Sequence, residues 1–412
     1  MNKFKSLLLG TAAAAIAATG AQAADAPMGR EPVYRCDITG FIELPGTDIC
    51  FKVGGFARLV TWAQNSDATL VAGGDGDIEG TTGTDEIGMY AQGRLNFDAR
   101  RSTDHGTVRA FIEMQATDGN TNSSGSFLLR HAFAQLGNWV FGKTWSTYLH
   151  GASDPNGSDW SPVAHTIRIN QIRYTHSVGN GVTVSVALED QAYEQSTAGV
   201  TTSSRGGLST LPASGFNGGF GDNDVPSVVA NINYANAGWD VQLSGVAKFN
   251  EFSAAAGGSD TGYGIMLGVA AELTDSLNAI LKVNYTEAAP SYQFDWFTGG
   301  TNTGDDHEQF GIMGGIAGSF NDKTTWQLAG IWGDSDNTGS TGIAATGIVD
   351  REIYGAQAVV QYRAASGFDF LAEVLWRHTD YNATDKFITG ANAGNPNDTD
   401  EVIGGITARA SF

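Results

Sequence analysis

Cys36 and Cys50 are the only cysteines in the chain, and both lie in one stretch, CDITGFIELPGTDICFKVGGFAR. A thiol pair at this spacing can close a disulfide or supply two ligands of a metal site. A zinc site needs four ligands, and no histidine stands near these two. The chain's first residues favour the disulfide. Met1 to Ala23, MNKFKSLLLGTAAAAIAATGAQA, has a basic start, an apolar run and a small-residue Ala-Gln-Ala end. That is the pattern of a secretory signal peptide over 1–23, with cleavage before Ala24. A retained anchor is the alternative, but its apolar core falls short of the ~18–20 residues a spanning helix needs. Export delivers the cysteines to an oxidising compartment. In the chain-entropy model, a clip around a 15-residue loop stabilises by about 3 kcal/mol.

The charged side chains form the second group able to do chemistry. The eight longest predicted loops carry 21 acidic residues and only two basic ones, Arg205 and Lys386. Sixteen Lys and Arg fall instead inside predicted strands, among them Arg58, Arg94, Arg109, Arg130 and Lys143. With a formal net charge of −21, the chain would repel nucleic acid, which excludes DNA and RNA as partners.

The elements that must position these charges follow a two-residue rhythm. In GMYAQGRLNFDAR, Met89, Ala91, Gly93, Leu95, Phe97 and Ala99 share one face, while Tyr90, Gln92, Arg94, Asn96, Asp98 and Arg100 share the other. Trp239 to Phe249 alternates in the same way. This is a strand with one apolar and one polar face. Sixteen such strands are predicted: 50–64, 87–103, 106–117, 125–136, 139–148, 166–178, 181–192, 226–235, 239–252, 261–273, 277–288, 307–320, 325–335, 351–364, 368–381 and 401–412. The alternation in SFLLRHAFAQLG leaves its faces unassigned.

The connections alternate between seven short turns of two to four residues and eight long loops, as tight hairpins at one end and extended loops at the other require. A soluble sandwich also alternates its faces but has no reason for this long–short rhythm. Export, strand number and loop rhythm together predict an all-β fold: a 16-stranded antiparallel transmembrane β-barrel with short periplasmic turns and long extracellular loops, over residues 50–412. Residues 24–49 precede it as a periplasmic segment. Trp62, Tyr148, Tyr174, Tyr234, Trp239, Tyr285, Trp326, Trp332, Tyr381 and Phe412 fall near strand ends, as interfacial girdles do.

Basic residues on a lipid-facing wall would cost ~2–4 kcal/mol each near the midplane, so most should line the lumen or snorkel at its rim. The loop over 149–165 follows the fifth predicted strand and carries Asp154, Asp159, Trp160 and two prolines. Folded into the lumen, it would set Asp154 and Asp159 opposite Arg58, Arg94, Arg109, Arg130 and Lys143 across a constriction. Splayed over the mouth, it would not. Charged constrictions of this type control conduction.

Enzyme signatures are absent: there is no HExxH, GxSxG or GxxxxGK[ST]. GGDGDIEG (73–80) reads as a solvated acidic loop, and Asp305-Asp306-His307-Glu308 as a loop base; neither is taken as a metal site. The loops' acidity is suited to divalent cations that bridge to anionic outer-leaflet lipid.

YRCDITGFIELPGTDICFKVGGFAR (34–58) closely resembles the N-terminal signature of the alphaproteobacterial general porins. LLRHAFAQLGNWVFGKTWSTY (128–148) resembles that family's segment before the constriction loop, and the terminal Phe412 matches its C-terminal assembly aromatic. The resemblance implies a homotrimeric outer-membrane pore, in contact with lipopolysaccharide and the barrel-assembly machinery. Such a pore passes small hydrophilic solutes and ions passively and needs no cofactor. A substrate-selective channel for anions or sugars on the same barrel is the alternative, followed by a non-conducting adhesin or receptor barrel. The loop DGNTNSS (118–124) is shorter than the subunit latch of general porins, so subunit contacts should rest on the barrel wall.

Overall fold

The computed structural model describes residues 36, 38–66, 86–118, 126–155, 168–190, 225–251, 259–289, 292–294, 307–337, 351–381 and 398–412. The signal peptide of 1–23, Asp159, and the loop acids at 67–85 and 305–306 lie outside the described residues. The strands are β1 (Ile42–Glu43), β2 (Cys50–Ser66), β3 (Glu86–Thr103), β4 (Gly106–Thr117), β5 (Ser126–Leu136), β6 (Trp139–Trp145), β7 (Arg168–Gly179), β8 (Val182–Glu189) and β9 (Ser227–Ala235). They continue with β10 (Trp239–Glu251), β11 (Ser259–Thr274), β12 (Leu277–Glu287), β13 (His307–Asn321), β14 (Thr324–Asn337), β15 (Arg351–Ala365), β16 (Phe368–Tyr381) and β17 (Asp398–Ser411).

From β2 onward each strand pairs antiparallel with the next, and β17 returns to β2 with Ser411 opposite Phe56 and Glu401 opposite Ser66. Sixteen strands therefore close a ring, leaving no backbone edge to face lipid. Phe412 adds a last rung: its N–H donates to Gly55 O and its own carbonyl accepts from Gly55 N, both at 3.1 Å.

The two faces follow the predicted alternation. On β3, Ile87 and Met89 are exposed while Tyr90, Gln92 and Asp98 are buried. On β10, Trp239 and Leu243 are exposed while Gln242, Ser244 and Lys248 are buried. Apolar outside and polar inside is the reverse of a soluble domain and is what a lipid-embedded wall requires. Outward aromatics gather at both rims: Trp139, Tyr174, Tyr234, Trp239 and Phe412 at the turn end, and Tyr263, Phe310, Trp332, Tyr354 and Trp376 at the loop end.

Several expectations change. Trp62 and Tyr148 belong to neither girdle; both point inward and are only 5% and 1% exposed. The wall has room for the Trp62 indole because Gly88 faces it, where a Cβ would lie 2.5 Å from the ring. The ambiguous strand β5 contains a bulge: Glu113 pairs with His131 and Met114 with Leu129, leaving Arg130 as the extra residue. One more residue on one strand re-aims its neighbours, so Arg130 and His131 are both buried. The β7–β8 turn is Asn180-Gly181, one residue later than expected. Its φ values of 53° and 83° fit a hairpin turn whose twist matches the strands.

The cysteines do form a disulfide, Cys36 to Cys50, with Cα atoms 5.7 Å apart. Within the clipped loop lies an element the periodicity did not predict: the two-residue β1, with Ile42 opposite Phe51 and Glu43 opposite Cys50. The loop docks on the wall through Phe41, whose ring lies 4.9 Å from the Arg100 guanidinium, and through Arg101 Nε donating to Asp48 Oδ2 at 2.7 Å.

Leu243 lies mid-strand on the outward face, opposite Leu267 and Ile232. Leu243→Arg should lower unfolding stability in lipid bilayers by about 2–4 kcal/mol, whereas Leu243→Phe should leave it nearly unchanged. Equal stability of the two variants in a urea titration would place this face toward water.

Candidate functional site: a segment folded across the lumen

Strand β6 ends at Trp145, three residues short of its predicted end, because inward polar groups of β7 and β8 capture the chain. Ser146 Oγ donates to Glu189 Oε2 at 2.8 Å, and the Thr147 amide donates to Glu189 Oε1 at 2.7 Å. Gln171 Nε2 donates to the Trp145 carbonyl at 2.7 Å, while its Oε1 accepts from Thr147 Oγ1 at 2.9 Å. These bonds satisfy backbone groups that leave the ladder where no bulk water reaches them.

The segment then runs along the inner face of β9 to β12. Asn231 Nδ2 donates to Thr147 O at 2.7 Å, and Gln242 Nε2 donates to Leu149 O at 3.0 Å. Tyr148 OH donates to Asn284 Oδ1 at 2.7 Å. His150 meets Asp240 Oδ1 through Nε2 and Ser153 Oγ through Nδ1, each at 3.0 Å. After a single 3₁₀ turn at Gly151–Ser153, Asp154 forms an ion pair with Lys282 of β12. Burial raises the Asp154 carboxyl above its ordinary pKa, and the Lys282 ammonium opposes that rise. Glycines on β11 make the close approach possible: a Cβ on Gly268 would lie 2.3 Å from His150 Nδ1, and one on Gly264 3.0 Å from Tyr148 OH.

A basic section of inner wall runs over β2 to β5. Asp98 is held by two guanidinium forks: Arg100 through Nε and Nη2 at 3.0 and 2.7 Å, and Arg109 at 2.9 and 2.8 Å. Such paired bonds fix both guanidinium planes. Arg130 Nε donates to Glu113 Oε1 at 3.1 Å, while Arg94 bonds Gln115 and lies 3.8 Å from Glu113. Arg58 and Arg94 both approach the Phe56 ring, at 5.4 and 4.8 Å, and Arg109 approaches Phe111 and Phe133.

Nearby, Arg168 lies 3.6 Å over the Trp145 ring and donates from Nε to His131 Nε2 at 3.2 Å. Because arginine only donates, that ring nitrogen accepts and Nδ1 is left to donate to Thr144 Oγ1.

Of the residues singled out in the sequence, Arg58, Arg94 and Arg109 share the inward register of this wall, and Arg130 joins them through the β5 bulge. Lys143 stands in register with Ala132 and Asn170, on the face opposite Thr144. Asp154 meets Lys282 on the β12 wall rather than an arginine of the basic section. The periodicity did not single out Lys282, Glu189, Asn284 or Asp240. The available signal was a polar or charged side chain at an inward position, such as Lys282 between Leu281 and Val283.

A closed sixteen-stranded barrel, apolar toward lipid and polar within, with a connecting segment pinned across its lumen, defines an outer-membrane channel. The family described as "Porin subfamily" matches residues 25–406, and the chain belongs to that family. It is similar to Porin Omp2b of Brucella neotomae and of Brucella abortus (strain 2308), each 28% identical over 399 residues that cover 90% of this chain and 92% of the relative. In fold it resembles the outer membrane channel DcaP of Acinetobacter baumannii, with a TM-score of 0.66, 20% identity and coverage of 88% and 97%. It also resembles the anion-selective porin from Comamonas acidovorans, with a TM-score of 0.53, 13% identity and coverage of 88% and 100%. The protein is an outer-membrane porin, a channel for passive diffusion, and this family identity implies a channel rather than an enzyme.

Gly268→Val would force branched carbon into the His150 ring. It should destabilise the inserted segment by about 1–3 kcal/mol and change single-channel conductance. Gly330→Ala, whose Cβ would meet nothing closer than 3.6 Å, should change neither. Identical planar-bilayer records for the two variants would show that the segment does not limit conduction.

Proposed function

We propose that solutes are filtered by size where the segment beginning at Ser146 crosses the lumen, and by charge along the basic section of wall. Arg58, Arg94, Arg109 and Arg130 form the basic side, Lys143 lying on the other face of the wall, and Asp154 and Asp159 form the acidic side. The ion pair between Asp154 and Lys282 carries this reading. It offsets one of the two loop carboxylates locally, whereas the described carboxylates on the basic section, Asp98 and Glu113, are outnumbered by arginines. A residual positive potential in a low-dielectric constriction favours anions.

A reversal potential measured across a KCl gradient should therefore report chloride as the more permeant ion. Arg94→Ser with Arg130→Ser should move it toward potassium. A cation-preferring parent, or a reversal potential that the double substitution leaves in place, would overturn the charge assignment. A channel selective for a particular anion is a second reading. It is supported by the arginines being held against aromatic rings, and saturable block of conductance by inorganic phosphate would establish it.

We also propose a homotrimer whose contacts lie on the outward face of β17, β2, β3 and β4. At its loop end this face bears no aromatic residue among the described residues, in contrast to β11, β13, β14, β15 and β16. It presents small side chains in register, with Ala57 beside Gly93 and Ala410, and Gly93 beside Ala116. Small residues let two walls approach closely in lipid. Gly93→Trp should leave the barrel folded but abolish the trimer band in unheated gels and native mass spectra. A monomeric parent would refute the assignment.

A further inference from the structure

We infer that a second segment, entering the lumen after β12, completes the constriction, and that Glu189 is the positioning residue locking it to the first. This rests on the channel reading of the barrel. β12 leaves the wall at Ala288, whose φ of 49° lies in the left-handed region that non-glycine residues rarely adopt. The described residues beyond it do not behave as a solvated extracellular loop. Ala289, Tyr292, Gln293 and Phe294 are each no more than 1% exposed.

Two side chains grip both segments at once. Glu189 of β8 accepts from Ser146 and Thr147 of the first segment, and its Oε2 also accepts from Tyr292 OH at 3.0 Å. Asn284 of β12 accepts from Tyr148 OH through Oδ1 and donates through Nδ2 to the Tyr292 carbonyl at 3.0 Å. Between these bridges the Tyr148 and Tyr292 rings pack edge to face, with centroids 5.2 Å apart.

The seat for Phe294 explains an irregularity of the inner wall. Inward positions on β13 to β17, and on β2 and β3, include apolar residues such as Met313, Ile331, Leu375, Val60 and Trp62, which a water-filled lumen would not select. They form one buried cluster that includes Phe294. Gly311 opens the space, since a Cβ there would lie 2.5 Å from the Phe294 ring. Leu149 of the first segment packs against the same cluster. Apolar burial thus holds the second segment in place, and Glu189 and Asn284 fix its register against the first.

The test compares single-channel conductance and liposome swelling with sugars of increasing size for the parent, Tyr292→Phe, Glu189→Gln, Glu189→Ala and Phe294→Ala, with barrel stability followed separately by heat-modifiable gel mobility. Tyr292→Phe removes one hydroxyl from the shared carboxylate. It should raise conductance and admit larger sugars while the barrel remains as heat-resistant as the parent. Glu189→Ala should do so more strongly, and adding Tyr292→Phe to it should have no further effect, because both act through the same bond. Phe294→Ala should widen the sugar cut-off independently of Glu189. Folded Tyr292→Phe and Phe294→Ala variants with parental conductance and cut-off would overturn the inference, even if Glu189 variants fail to assemble. An absence of conductance in the parent would instead refute the channel reading.

Discussion

Lipid offers no hydrogen bonds, so each backbone N–H and C=O crossing the hydrocarbon region must find its partner inside the wall. Pairing of β17 with β2 meets that demand, and the rest of the structure depends on it. Closure brings Phe412 beside Gly55 and joins the two ends of the chain. It also turns a two-residue alternation into an inside and an outside. The disulfide-clipped loop sits at this seam, with Cys50 opening β2, so the covalent constraint acts on the strand that must accept the most distant partner in sequence. Such long-range pairing bears the greatest loop-closure entropy.

Once the wall is closed, the interior becomes the only place where the chain can leave the ladder at membrane depth. Departure from the ladder strands polar backbone, and the inner wall supplies replacements through Gln171, Asn231, Gln242 and Asn284, all of which bond the inserted segments. Inward glycines at 264, 268 and 311 give these segments space. The lumen is therefore divided between a face that holds inserted chain, built of amides, small residues and an apolar seat, and a face built of guanidinium groups stacked on rings and fork-bound to carboxylates. That division is the basis of the proposed filtering by size and charge.

Strand existence was legible because burial on one side and water on the other impose a period of two, and the tight turns were legible from their Gly, Asn and Asp residues. Several details were not. The bulge that brings Arg130 inward shifts the phase of SFLLRHAFAQLG and hides its faces from any periodicity argument. The pair β1–β2 has two residues on its shorter side and lacks a period to detect. Trp62 and Tyr148 lie near predicted strand ends, as girdle aromatics do, yet point inward: Trp62 by its register on β2, Tyr148 because the chain leaves the ladder after Trp145.

A barrel with basic residues in its strands and acidic residues in its loops was legible from the strand count, the loop rhythm, the leader-like first residues and a period of two. The tertiary structure decided which charges meet. Asp154 was legible as a carboxylate of the loop after the fifth predicted strand, but its partner is Lys282, 128 residues away in sequence. Glu189 and Asn284 read as ordinary inward polar residues until the fold brought two loops to each of them. Pairings of this kind depend on where the chain crosses the lumen, which is set by contacts among distant strands, and no local pattern of residues encodes that path.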